Sequence, residues 1–242
     1  MPWFKEWFNS RYYHLLYGKR DESEAEIFIN NLMQVIQPAP ESKFLDLACG
    51  KGRHALQIAN SGYEVHGVDL SEESIAAARQ LAKEQLVFEV RDMRQTYLPN
   101  YFNYIFNLFT SFGYFDKPED NLSTLIAVKN GLQPGGVFVQ DYFNATKVVN
   151  DLVPQETKSI EGIDFHIRKH IDNHIIYKSI VFADMGQEYQ FCEQVNLFDL
   201  DDFKAMYEQA GFEIIAMYGN YRLEPFDPQK SERLILISKV KA

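Results

Sequence analysis

The chain has 242 residues, 46% of them hydrophobic and 24% charged, a balance that excludes disorder and suits one large domain, or one domain carrying a subdomain. Its 24 Lys+Arg against 34 Asp+Glu leave a net charge of −10, which disfavours a phosphate-tracking surface, so no nucleic-acid partner is expected. No apolar run approaches the ~20 residues that span a bilayer, and the opening Met1-Pro2-Trp3-Phe4-Lys5-Glu6 lacks a basic region followed by an apolar one, so a soluble cytoplasmic protein with no membrane partner is expected. Cys49 and Cys192 fit neither a disulfide framework nor a four-ligand zinc site, and both are read as small buried hydrophobes.

Residues 1–40 read as an N-terminal helical cap. Trp3, Phe4, Trp7, Phe8, Tyr12, Tyr13 and Tyr17 recur at spacings of three and four, which gathers several on one helix face. Asp21 and Glu24 make a capping box for a second helix with the stripe Phe28, Leu32, Val35 and Ile36, ended by Pro38 and Pro40. Strands are then expected at 43–49, 64–70, 87–90, 104–109 and 137–142. The intervening helices run from the Gly50–Gly52 turn to Ser61, from a Ser71 cap over 72–85, and from Pro118 to the turn Gln133-Pro134-Gly135-Gly136. Strands alternating with helices imply parallel βαβ units covered on both faces.

Over 144–198 the alternation stops. Runs such as Asp164-Phe165-His166-Ile167-Arg168 and 175–180, with a turn at Asp172-Asn173, read as a small antiparallel β meander with no helix in it. It interrupts the α/β unit, which comprises 41–143 and 199–242. After it, Asp201 is expected to cap a helix stopped by Gly211, followed by strands at 212–218 and 233–240. The insert is a candidate lid or acceptor wall, because its aromatics and histidines (Phe165, His166, His170, His174, Tyr177, Phe182) follow the fifth strand. No metal site is assigned to the evenly spaced His166, His170 and His174. The meander's extended edge is a possible homodimer contact.

The chemistry concentrates in Leu45-Asp46-Leu47-Ala48-Cys49-Gly50-Lys51-Gly52-Arg53. Glycines at a strand-to-helix turn let a ligand approach backbone N–H groups at a helix start. Gly50-x-Gly52-x-x-Ala55 also satisfies a dinucleotide fingerprint, so a nicotinamide or flavin oxidoreductase must be weighed. Asp69, nineteen residues after Gly50, suits the ribose hydroxyls of either ligand class. Asp46 discriminates: within the first strand it would repel a pyrophosphate, but it suits a ligand carrying an ammonium and a sulfonium. Asp92, just after the third strand, is placed to accept from an adenine amino group, with Met93 against the ring.

With D-L-A-C-G-K-G at 46–52, G-V-D-L-S at 67–71, R-D-M at 91–93 and L-x-P-G-G at 132–136, the chain resembles the class I S-adenosylmethionine-dependent methyltransferases. The resemblance covers 40–143 closely, and 200–240 in element order. It implies an α/β, doubly wound, mostly parallel seven-stranded sheet whose last strand is antiparallel, and S-adenosyl-L-methionine as cofactor across the strand ends. By position, Asp46, Ala48, Gly50 and Gly52 would hold the methionine part, Asp69 with Leu70 the ribose, and Asp92 with Met93 the adenine. Leu108, in the run 107–111, would close over the amino group. In related enzymes an N-terminal helix folds over the cofactor, so Tyr17 and Arg20 are candidates for its carboxylate.

For a small-molecule acceptor the candidates are Tyr13, Phe112 and Tyr114, with Asp141 at the end of the fifth strand as contact or base. Each has a plain packing or capping alternative. The run Leu108-Phe109-Thr110-Ser111-Phe112 departs from the acidic-or-amide Pro-Pro-aromatic pattern of enzymes that methylate DNA bases or glutamine, which argues against those acceptors. No catalytic residue is assigned. A dinucleotide oxidoreductase and a cofactor-binding scaffold without turnover stay as alternatives, the former disfavoured by Asp46 and by Ala55 in place of a third glycine.

Overall fold

The computed structural model describes residues 3–17 and 22–241. The expected Asp21 half of a capping box, and Arg20, fall outside the described residues. The chain opens with three helices, α1 (Trp3–Phe8), α2 (Arg11–Tyr17) and α3 (Glu22–Ile36), and continues as β1 (Lys43–Leu47), α4 (Arg53–Asn60), β2 (Glu64–Asp69), α5 (Glu72–Ala78), β3 (Leu86–Val90), β4 (Phe102–Asn107), α6 (Pro118–Gly131) and β5 (Leu132–Phe143). Then come α7 (Ala145–Asn150), β6 (Gln155–Ile160), β7 (Ile163–Asp172), β8 (Ile175–Asp184), β9 (Gln187–Asn196), α8 (Leu200–Ala210), β10 (Phe212–Tyr218) and β11 (Arg233–Val240).

Seven strands form one sheet in the order β10-β11-β5-β4-β1-β2-β3. All neighbours pair in parallel except β11, which is antiparallel to both β5 and β10. Side chains alternate across the strands. Phe44, Val139, Ile235 and Ile237 enter a core under α3, α4 and α5. Leu45, Leu47, Phe138, Leu234 and Leu236 enter a second core under α6 and α8. Both faces are therefore buried, as a doubly wound sheet requires. The order reverses between β1 and β4, so a crevice opens at their carboxyl ends.

The insert forms its own antiparallel sheet, β6-β7-β8-β9. Its β7 residues Ile163, Phe165 and Ile167 point inward against Trp7, Tyr12 and Leu16 of α1 and α2. His166 and His170 sit on the opposite, exposed face of β7, and His174 lies in the β7–β8 turn with Asn173, both at positive φ. Among the described residues no group of three or more His, Cys, Asp or Glu converges as metal ligands, and no helix is long and apolar enough to cross a membrane.

Several boundaries differ from expectation for local reasons. The helix after Ser71 stops at Ala78, because a tight turn in which Lys83 and Leu86 exchange backbone bonds must deliver β3 beside β2. The 144–198 segment contains one short helix after all, since the Asn144 side chain caps it at Thr146 N–H. The run 133–136 joins the start of β5, where its pairing with β4 shifts register. Asp199, not Asp201, caps α8: it accepts from Asp201 and Asp202 N–H, and Asp202 accepts back from Asp199 N–H. Cys192 is exposed, whereas Cys49 is buried.

Candidate functional site

β1 brings Asp46 to the carboxyl edge of the sheet. The chain then turns through left-handed backbone at Ala48 (φ 61°), Gly50 (φ 56°) and Gly52 (φ 81°) before α4 begins. Glycine is required at 52, where a Cβ would lie 2.6 Å from the Phe88 ring. Two carboxylates brace the turn. Asp46 accepts from Ala55 N–H at 3.1 Å, and Asp69 accepts from Gly50 and Ser71 N–H at 2.8 Å each.

Asp46 is 1% exposed. Burial lifts its pKa to about 7, with the Asp69 charge adding and the Ala55 N–H and Arg53 opposing. Burial also raises the Asp69 pKa against the pull of its backbone donors. In both acids desolvation outweighs the donors that favour the ionised form.

A cavity of about 330 Å³ opens above these strand ends. Asp46, Ala48, Gly50, Asp69, Leu70, Asp92, Met93 and Leu108 line it, as do Tyr13, Tyr17 and Tyr114. Gly52 stays behind the wall, where it permits the turn. Asp92 is gripped by Arg94, whose Nε is 3.0 Å and whose second guanidinium nitrogen is 2.6 Å from the carboxylate. Burial alone would raise the Asp92 pKa; the bonds and charge of Arg94 outweigh it and lower the value.

Phe112 and Asp141 are not brought to the cavity. Phe112 is 1% exposed and packs on Phe198 and Phe203. The backbone at Phe109 and Thr110 has positive φ, which turns Ser111, Tyr114 and Phe115 inward instead. Asp141 is fully buried, ion-paired with Arg233 at 2.8 Å, and accepts from Phe109 N–H at 2.7 Å and Tyr221 hydroxyl at 3.2 Å. It supports the loop after β4 from behind. Asn107 does the same from the other side, donating to Leu47 and Ser111 carbonyls at 3.0 and 3.2 Å.

The roof is aromatic. Phe4 and Phe8 of α1 and His14 of α2 join Tyr13 and Tyr17, residues that the sequence reading grouped as helical without assigning Phe4, Phe8 or His14 to a site. The spacing of Phe4 and Phe8 on one helix face is the signal that would have included them. Burial, together with the Lys51 charge, lowers the His14 pKa to about 4. Lys51, Arg53 and Arg91 also line the cavity; the first two flank Gly52 in sequence. None of the cavity-lining residues comes from 144–198. The insert expected as a lid or wall instead lies behind the cap, where Phe165 and Phe182 pack with Trp7 and Tyr12.

A family model described as "Methyltransferase domain" matches residues 39–211. A glycine/sarcosine N-methyltransferase of Aphanothece halophytica is 26% identical over 212 residues, covering 84% of this chain and 77% of that protein. A dTDP-3-amino-3,4,6-trideoxy-alpha-D-glucopyranose N,N-dimethyltransferase of Streptomyces venezuelae is 25% identical over 187 residues, 74% of this chain and 78% of that one. In fold, the chain is similar to the crystal structure of an S-adenosylmethionine-dependent methyltransferase from Clostridium acetobutylicum, with a TM-score of 0.81 at 19% identity over 96% of each chain.

Proposed function

The chain belongs to the methyltransferase-domain family, and from that premise we propose that it transfers a methyl group from S-adenosylmethionine to a small organic acceptor. One observation carries the reading: two carboxylates with raised pKa, Asp46 and Asp69, share an aromatic-roofed cavity with an open glycine turn. Buried carboxylates whose pKa desolvation raises gain from a ligand bearing an ammonium and a sulfonium. When bound, S-adenosylmethionine supplies a methyl group made electrophilic by the sulfonium.

The protein's part is to bind, align and exclude water. In this reading Asp46 and the Ala48–Gly50 turn hold the methionine part, with Gly52 allowing the turn. Asp69 and Leu70 hold the ribose, Asp92 and Met93 the adenine, and Leu108 closes the methionine end. Tyr13 and Tyr114 line the space left for an acceptor, where aromatic faces favour positive charge by ~0.5–2 kcal/mol; Tyr17, expected beside the methionine carboxylate, lines the cavity but directs its hydroxyl to Glu193. An amine acceptor is supported by the two relatives named for methyl transfer to nitrogen.

In this reading the chain divides into a cap (1–40), a cofactor-binding unit (41–143 and 199–242) and the insert (144–198); α1 and α2 share an apolar cluster with the insert, whereas α3 packs in the core of the large sheet. Within this reading the protein acts in the cytoplasm without nucleic-acid or membrane partners. Strand β6, largely exposed at the edge of the small sheet, is the surface through which two copies would pair. Calorimetric titration with adenosylhomocysteine, then transfer of a labelled methyl group to a panel of small amines, tests the function. Binding of NAD but not of adenosylhomocysteine would overturn it.

A further inference from the structure

A carboxylate of the insert stands directly behind the cavity's roof. Glu193, on β9, is 15% exposed in its side chain and pairs across the strands with Lys178 of β8. Its oxygens take donors from α1 and α2 of the cap. Trp7 Nε1 donates at 2.6 Å, and the Tyr17 hydroxyl lies 2.7 and 2.9 Å from the two oxygens. Lys178 Nζ is 3.5 Å from the same carboxylate, donates to the Tyr17 hydroxyl, and sits 4.6 Å over the Tyr17 ring.

These bonds reach the cavity through ring contacts. Trp7 is fully buried and meets Tyr13 edge-on at 5.7 Å, and Tyr13 meets Tyr17 at 5.0 Å. Tyr13 and Tyr17 line the cavity; Trp7, Lys178 and Glu193 do not. A charge-assisted bond from each helix to one carboxylate fixes the two helices relative to each other, which ring packing alone does less directionally.

We propose that Glu193, aided by Lys178, is a positioning residue: from the insert it sets the Tyr13–Tyr17 face of the roof, and so governs how tightly the cofactor is held without touching it. The inference rests on the methyltransferase reading and gives the insert a role in that same site. A second contact between cap and insert serves as comparison. Tyr12 donates to Asp184 at 2.9 Å, and Arg11 pairs with the same carboxylate, yet neither Arg11 nor Tyr12 lines the cavity. On its far side Glu193 borders, with Lys178, a second cavity of about 350 Å³, so truncation leaves the ammonium beside a space that water can enter.

The test measures adenosylhomocysteine affinity by calorimetry well below the melting temperature, with hydrogen exchange over 3–17. Glu193→Ala should weaken binding at least 10-fold and abolish ligand-induced protection of 11–17. Glu193→Gln, which keeps an acceptor oxygen for Trp7 and Tyr17, should stay within about 3-fold of the native protein. Asp184→Ala should lower the melting temperature but leave affinity within about 2-fold. Equal affinity in Glu193→Ala and the native protein overturns the proposal, and so does an equal loss in Asp184→Ala, which would make the contact a general support. If Glu193→Ala does not fold, Trp7→Phe decides: Trp7 does not line the cavity, the change removes its donor to Glu193, and it should show a loss in the same direction, whereas native affinity refutes the idea. Failure of the native protein to bind adenosylhomocysteine would instead sink the functional reading itself.

Discussion

Asp46 makes stability and binding respond to pH in opposite directions. In the ligand-free protein its pKa is about 7, raised from 3.8 mainly by burial. Between those values the folded protein holds a proton that the unfolded chain has released. Its contribution to stability is therefore complete below about pH 4 and lost as pH rises through 7. At ~1.4 kcal/mol per pH unit across that window, the loss approaches ~4 kcal/mol. Asp46→Asn keeps a carbonyl oxygen for Ala55 N–H but cannot ionise. It should match the native protein near pH 4 and melt several degrees higher at pH 8, since ~1 kcal/mol shifts a chain of this size by ~2–4 °C.

A ligand that brings an ammonium beside Asp46 favours the ionised acid, so the native protein must shed a proton to bind it below pH 7. Affinity for adenosylhomocysteine should rise about 10-fold, ~1.4 kcal/mol, between pH 6 and pH 8 and then level. Titrations near pH 6.5 in buffers of different ionisation enthalpy should show proton release, and the Asn variant should lose both effects. A native affinity flat from pH 6 to 8, or an Asn variant with the same slope, would refute the reasoning. The difference between the two proteins isolates Asp46 from Asp69, whose pKa is also raised by burial.

Asp69→Ala removes the acceptor for Gly50 and Ser71 N–H together with the proposed ribose contact, so adenosylhomocysteine affinity should fall at least ~10-fold; an unchanged value in the folded variant dismisses the assignment. Gly52→Ala drives a Cβ to 2.6 Å from Phe88 at a φ of 81°, and thermal melting should drop by several degrees; a native melting temperature would show that the turn can relax. Asp141→Ala strands the Arg233 guanidinium, only 17% exposed, and should cost ~3–5 kcal/mol in a urea titration while loosening the loop after β4.

The α/β frame was legible because its signals are local. Strands buried on both faces, like β11, must be short apolar runs, while β10 alternates with one face exposed; both begin and end where the sequence placed them. The glycine turn is legible for the same reason, since the left-handed backbone at 50 and 52 leaves a mark in residue type. Where neighbours offered equal chemistry, local reasoning chose badly. Asp199 and Asp201 are both good caps, and only the reciprocal bond with Asp202 selects the first. Phe112, Tyr114 and Phe115 are interchangeable in pattern, and positive φ at non-glycine Phe109 and Thr110, which no residue type announces, decides which of them face the cavity.

The insert's place could not be read for a different reason. Its β7 alternation, with Ile163, Phe165 and Ile167 on one face, shows that something apolar covers that face but not what. The partner is the cap, more than a hundred residues earlier, and the deciding contacts are polar: Trp7 and Tyr17 reach Glu193 across 186 and 176 residues of chain. A segment that follows the fifth strand is well placed to wall a pocket, and that expectation assumed the cap would stand apart. Instead the aromatic cap occupies the position over the strand ends, and the insert's sheet becomes its backing. The roof over the proposed acceptor space is thus a short helical layer held between the start of α5 and the insert's sheet. Ser71 Oγ donates to Phe8 carbonyl at 3.2 Å on the cofactor side, and Glu193 holds Trp7 and Tyr17 on the other. Acceptor preference should therefore follow changes in Phe4, Phe8, Tyr13 and His14, which face the cavity, while changes on the insert should act on affinity through the bonds that hold those helices in place.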